Sequence, residues 1–130
     1  MSVDSIGNFL TAIRNSVSIA DRYLKTPYSK LKEKILEILL NEGFIKGYNV
    51  EGELAEKKIV VFFKYVNNES VIHQIQQISK PGRRIYARSS CIPIVIGGLG
   101  IAILTTNKGL MTNKQVVEHK IGGEIICTVW

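Results

Sequence analysis

The sequence predicts an α+β fold made of two small subdomains packed together. Three observations carry that prediction. Apolar residues recur at helical spacing in two early stretches, Ile6, Phe9, Leu10, Ile13, Val17 and then Leu31, Ile35, Ile38, Leu39. Runs rich in β-branched and aromatic residues, bounded by glycine or asparagine, follow at 44–50, 58–65, 99–105 and 124–129. The chain also changes character near residues 66–72. It becomes strand-rich there, which sets an N-terminal subdomain at 1–67 and a C-terminal one at 68–130. A length of 130 residues with 45% hydrophobic content suffices for that much core.

The elements follow in order. Asp4 is an N-cap candidate, because its carboxylate can accept from first-turn amides, and the helix it opens covers about residues 5–16. A short strand is expected around Arg22–Lys25, and Pro27 breaks the chain. Ser29 caps a second helix that runs to about Leu40, with Gly43 as its stop. Phe44–Val50 and Lys58–Tyr65 form a hairpin across the turn-like Glu51-Gly52-Glu53, and Asn67-Asn68 closes this half. Val71–Ile78 has an ambiguous pattern that leans to strand. Lys80-Pro81-Gly82-Arg83-Arg84 is a basic turn, since proline followed by glycine is a strong turn signal. Ile85-Tyr86 resumes an extended path. Gly97-Gly98 leads into the long strand 99–105, Thr112 caps a short helix at 113–120, and Gly122-Gly123 opens the last strand. The first half therefore reads helix, strand, helix, hairpin; the second is mostly antiparallel β with a short helix.

The net charge of +6 favours nucleic acid or another anionic surface as partner without deciding the fold. Its distribution is uneven. No Asp or Glu occurs from Ser70 to Val117, a stretch that carries Lys80, Arg83, Arg84, Arg88, Lys108 and Lys114. The start of the chain has no basic, apolar signal pattern, and no run of about 18 apolar residues suggests a membrane span. Cys91 and Cys127 are too few and too scattered for a disulfide framework, so a reducing, cytoplasmic setting is expected.

The densest chemical signal is Thr105-Thr106-Asn107-Lys108-Gly109 at the end of an apolar strand. Short neutral donors and acceptors suit sugars and base edges, and the lysine suits a phosphate. The same residues are also ordinary turn formers. In the basic turn, Arg83 and Arg84 can bond phosphate with paired donors, and Tyr86 can stack on a ribose or base; the alternative is a solvated tip with a core tyrosine. Gly122 and Gly123 suit close backbone approach, and Glu124 either accepts from a base amino group or braces the polar turn. Catalytic and metal patterns are absent: His73 and His119 are isolated, no paired ligand spacing exists, and no metal or cofactor is expected. Cys91 has only Arg88 nearby in sequence to activate a thiol, so no enzyme is expected. A docking role through the apolar stretch Ile92–Ile96 is the remaining alternative.

Six blocks, in order, make the chain resemble the bacterial-type small-subunit ribosomal protein eight family. They are Leu10-Thr11-Ala12-Ile13-Arg14-Asn15, Ser29-Lys30-Leu31-Lys32, Asn41-Glu42-Gly43-Phe44-Ile45, the run from Ile78 to Tyr86, the run from Gly98 to Thr112, and Gly122-Gly123-Glu124-Ile125-Ile126-Cys127. The resemblance implies two α+β subdomains and direct binding to the central domain of small-subunit ribosomal RNA during assembly. It places the main contact on Thr105, Thr106, Asn107, Lys108 and Gly109, bordered by Tyr86, Gly122, Gly123 and Glu124. Ser29, Lys30 and Lys32 would form an N-terminal patch. It further implies small-subunit proteins five and twelve as neighbours and repression of the chain's own operon through its messenger RNA. An organelle-encoded copy fits the same pattern. Thr105 stands where the family usually has serine, keeping the hydroxyl and adding a methyl group.

Overall fold

The computed structural model describes residues 5–92 and 98–130. It shows an α+β chain that divides into two compact units, Asn8–Ile72 and one built on His73–Trp130. The Asp4 cap, Gly97, the Cys91 side chain and all but the first residue of the Ile92–Ile96 stretch lie outside the described residues.

In the first unit the order is α1 (Ser5–Ser18), β1 (Tyr23–Pro27), α2 (Lys30–Asn41), β2 (Ile45–Glu51), β3 (Lys58–Phe63), β4 (Tyr65–Val66) and β5 (Glu69–Ser70). Strand β3 is central in an antiparallel sheet of order β1-β3-β2. Its core face follows from alternation: Ile59, Val61 and Phe63 are buried with Phe9, Leu10 and Ile13 of α1 and Ile35, Leu36 and Leu39 of α2. The helices were expected to bury Leu31 and Ile38. Instead the α2 face is rotated, so Lys32 and Leu36 are buried while Leu31 is exposed.

Both helices end on left-handed residues. Gly43 takes φ +80 after α2, with its amide on the Leu40 carbonyl. After α1 the same role falls to Ala20 (φ +58), and the Asp21 amide reaches back to the Ser16 carbonyl at 2.9 Å. Asn67 and Asn68 do more than close a half. Both have positive φ and turn the chain through the small β4–β5 hairpin, which no apolar run marked. A 3₁₀ turn, Leu54–Glu56, sits in the β2–β3 connection.

The second unit contains β6 (Ile75–Gln77), β7 (Tyr86–Ala87), β8 (Ile101–Thr106), β9 (Gly109–Thr112), α3 (Asn113–His119) and β10 (Gly123–Val129). The expected strand at 71–78 shrinks to Ile75–Gln77, which pair with β10 in regular register; the Ile78 and Ser79 amides still donate to the Ile126 and Ile125 carbonyls, where the register of β10 shifts. The sheet runs β6-β10-β8-β9, with β7 also on β10, and all pairs are antiparallel. Helix α3 starts in a capping box: the Thr112 hydroxyl accepts from the Gln115 amide, and the Gln115 side chain accepts from the Thr112 amide. Val116 then packs against Ala102, Leu104 and Ile125. The other face of the sheet buries Ile101, Ile103, Cys127, Val129 and Ile75.

Leu36 is fully buried on the core face of α2. Leu36→Ala is expected to lower unfolding free energy by about 2–5 kcal/mol, the range for a buried leucine truncation, as read by urea denaturation. A change below the lower bound would place Leu36 outside the core.

Candidate nucleic-acid interface

Strand β8 is apolar until its last two residues, and those two reach the surface. Thr105 pairs with Glu124 of β10 on one side and with Leu110 of β9 on the other. Glu124 in turn pairs with Tyr86 of β7. Directly opposed residues in antiparallel strands share a face. Tyr86, Glu124, Thr105 and Leu110 thus form one row across four strands. The next row on that face contains Cys127 and Ile103, both fully buried. The face passes from apolar core to polar rim in a single step.

A bulge in β10 makes this step possible. The register shifts between Ile125 and Cys127, so Ile126 is the extra residue. By simple alternation Glu124 and Cys127 would face opposite ways. The extra residue brings both to the same side and sets the carboxylate beside Thr105.

Each predicted residue has a definite place. Asn107 and Lys108 are the exposed two-residue tip of the β8–β9 hairpin, and Gly109 follows at φ +101. The Thr106 hydroxyl belongs to the turn itself: it donates to the Gly109 carbonyl at 2.8 Å and accepts from the Lys108 amide at 3.1 Å. No described residue hydrogen-bonds the Thr105 hydroxyl. Tyr86 is 70% exposed, so it is not a core tyrosine.

Gly122 and Gly123 have a packing reason internal to the protein. A Cβ on Gly122 would sit 2.6 Å from the Ala87 carbonyl oxygen, and one on Gly123 would overlap the Thr105 carbonyl oxygen. Glycine here lets β10 lie between β7 and β8. Arg83 and Arg84 are exposed on the turn closed by the Lys80–Arg83 backbone pair. Arg84 donates to the Glu124 carboxylate at 3.1 Å, so the acid of the row is paired with a cation from the basic turn.

Ser79 holds that turn, and sequence reasoning passed over it. Its buried hydroxyl accepts from the Ile85 amide at 2.9 Å and donates to the Ile85 carbonyl at 3.1 Å. The signal was a lone serine beside a basic turn, which periodicity cannot distinguish from a solvated one.

The three N-terminal candidates part company. The Ser29 hydroxyl is the α2 N-cap, accepting from the Lys32 amide. Lys30 is exposed. Lys32 is only 9% exposed and turns inward; its ammonium donates to Thr26 Oγ1 at 3.1 Å and to the Pro27 carbonyl at 3.0 Å, and lies 5.5 Å from the centre of the Phe9 ring. Desolvation holds its pKa below the usual lysine value. Cys127 is the opposite kind of group, a thiol that burial pushes up to about 12 and therefore keeps protonated and inert. Among the described residues no three His, Cys, Asp or Glu side chains converge.

A sequence profile described as ribosomal protein S8 matches residues 4–130. The chain belongs to the ribosomal protein S8 family. Its relatives include the small ribosomal subunit protein uS8 of Dictyoglomus thermophilum, 50% identical over 98% of this chain and 97% of that protein. The uS8 of Finegoldia magna is 48% identical over the full length of both, and that of Mycoplasmopsis pulmonis 42% identical over 98% and 96%. The S8 family is structural and not enzymatic, in keeping with a site built from turn residues, glycines and a paired carboxylate.

Gly123→Ala is expected to destabilise this S8-family chain by about 1–3 kcal/mol, the range for overpacking. Amide exchange would rise at Thr105 and Glu124 before it rises in α2; unchanged exchange there would mean the strands tolerate a Cβ. Lys32→Met is expected to cost about 1 kcal/mol in urea denaturation, because the hydrogen bonds to Thr26 and Pro27 are lost while some desolvation is relieved. A stabilised variant would show that desolvation outweighs those bonds.

Proposed function

We propose that this chain binds the central domain of small-subunit ribosomal RNA directly and helps it assemble, through the polar rim of the second unit. The observation that supports this most is the row Tyr86–Glu124–Thr105 beside the Asn107–Lys108 tip, with the acid matched by Arg84. A regular RNA duplex hides its base edges in a deep major groove, so selectivity needs an irregular helix or a shallow minor groove. The rim offers what such a target needs. Thr105 and Asn107 present short donors and acceptors, Tyr86 a stacking face, and Lys108, Arg83 and Arg84 the phosphate contacts. Gly109 and Thr106 shape the turn, while Gly122 and Gly123 let the strands approach.

The second patch is Lys30, presented by the Ser29 cap, with Lys32 as an internal brace for Thr26 and Pro27. The names of the uS8 relatives place them in the small ribosomal subunit. Membership of the family supports the same location for this chain; a place on cytoplasmic ribosomes, with small-subunit proteins five and twelve as neighbours, is part of the proposal and rests on the family resemblance. Repression of its own operon would use the same rim on a messenger RNA that imitates the ribosomal site.

The test is a titration of the purified protein against the central-domain RNA helix and a scrambled duplex of equal length, at two salt concentrations. Tight cognate binding that survives moderate salt, with weak binding to the scrambled duplex, is expected. Equal and strongly salt-sensitive binding to both would reduce the interaction to bulk charge. Thr106→Val should weaken the cognate complex by about 1–3 kcal/mol through loss of the turn, and Thr106→Ser should restore it. Lys108→Ala should lower the salt slope by about one contact; an unaltered slope would remove Lys108 from the phosphate contacts.

A further inference from the structure

On one edge of β10 the chain leaves the ladder and returns to it at a single residue, Ile125. The Ser79 amide donates to the Ile125 carbonyl at 3.1 Å, and the Ile125 amide donates to the Ile85 carbonyl at 2.9 Å. Before that point Ile75–Gln77 pair with β10, and after it Tyr86 and Ala87 do. Residues 80–84 are therefore an excursion from an otherwise continuous edge, and it carries the cations Lys80, Arg83 and Arg84.

Two closures shape the excursion. At its tip Lys80 and Arg83 exchange both backbone bonds, at 3.0 and 2.9 Å. At its foot the buried Ser79 hydroxyl accepts from the Ile85 amide and donates to the Ile85 carbonyl. Counted from the tip pair, a regular antiparallel hairpin would set Ser79 opposite Arg84. The hydroxyl takes Ile85 instead, so Arg84 is the extra residue between the two closures. Neither its amide nor its carbonyl bonds the backbone of a described residue. A residue left over in this way is turned out of the ladder. Its guanidinium meets Glu124, the neighbour of Ile125 on β10, at 3.1 Å. The Glu124 side chain is only 16% exposed, and among the described residues Arg84 is the cation that bonds it. Without that cation the row would present a bare carboxylate to a phosphate backbone, and like charge repels such a partner.

We propose that Ser79 is a positioning residue of the rim. By closing the foot on Ile85, its hydroxyl expels Arg84 from the hairpin and seats it on Glu124, and this lets a row that contains an acid accept RNA. The inference rests on the reading of the rim as an RNA-binding surface. Ser79 itself is buried and touches no RNA; it acts through Arg84.

The experiment has one arm without RNA and one with it. In the free protein the Ile85 amide should exchange as slowly as the Ile125 amide, although β7 begins only at Tyr86. In Ser79→Ala, checked for folding by circular dichroism and thermal melts, that protection should fall. The Arg84 guanidinium resonances should then move to where Glu124→Gln places them. The second arm titrates the central-domain RNA helix against the unaltered chain, Ser79→Ala, Arg84→Ala and the double variant. Ser79→Ala should weaken binding about tenfold, the effect of losing one hydrogen bond to a charged group. That loss should vanish in the Arg84→Ala background, whereas a general structural defect would add to it. Fast exchange at Ile85 in the unaltered chain, Arg84 resonances unmoved in Ser79→Ala, or an equal Ser79→Ala loss with and without Arg84 would each overturn the proposal. Equal binding of cognate and scrambled RNA by the unaltered chain would instead overturn the RNA reading, and the free-protein arm would still decide whether Ser79 seats Arg84.

Discussion

The close approach of β10 to β8 at Gly123 is the constraint on which the second unit depends. A side chain there would drive a carbon into the Thr105 carbonyl oxygen, and one at Gly122 would press on Ala87. Strand β10 is the shared neighbour of β6, β7 and β8, so an error in its seating passes to all three. The row Tyr86–Glu124–Thr105 exists only while that seating holds. A rim made of side chains from three strands inherits its precision from backbone packing beneath it, as the proposed binding site would require.

Hydrogen bonds within the protein divide the polar residues into those that build and those that face outward. Thr106, Ser29 and Ser79 use their hydroxyls on nearby backbone, to form a turn, a cap and the base of the basic loop. Lys32 uses its charge internally. Thr105, Asn107, Lys108, Lys30 and Arg83 are left to face solvent. A hydroxyl already committed to a turn holds its neighbours in place, which is why residue type alone does not assign the role.

The helices and most strands were legible from periodicity. Phe9, Leu10 and Ile13, and Ile35 and Leu39, are where a repeat of 3.6 residues puts them. Legibility failed where partners decide. Residues 71–78 carry an ambiguous pattern, and only Ile75–Gln77 form a regular strand, because the register of β10 shifts where Ile78 and Ser79 meet it. Two positions of the α2 stripe differ, with Lys32 and Leu36 buried in place of Leu31 and Ile38, since a lysine with a long aliphatic stem and two internal acceptors can occupy a buried position that composition assigns to leucine. The Asn67-Asn68 turn was visible as residues but not as a hairpin, because strands of two residues leave no periodic trace.

The sequence by itself determined the α+β class, the polar turn at the end of an apolar strand, and an acid-free stretch of basic residues. Those depend on local spacing and on charge, which a linear reading contains. The tertiary structure alone decided which polar residues share a face. Plain alternation separates Glu124 from Cys127, and the extra residue at Ile126 reunites them. A bulge arises from pairing with a particular partner strand, so no pattern within the strand announces it. That one register shift brings Glu124 into line with Tyr86 and Thr105 and turns three scattered residues into one surface.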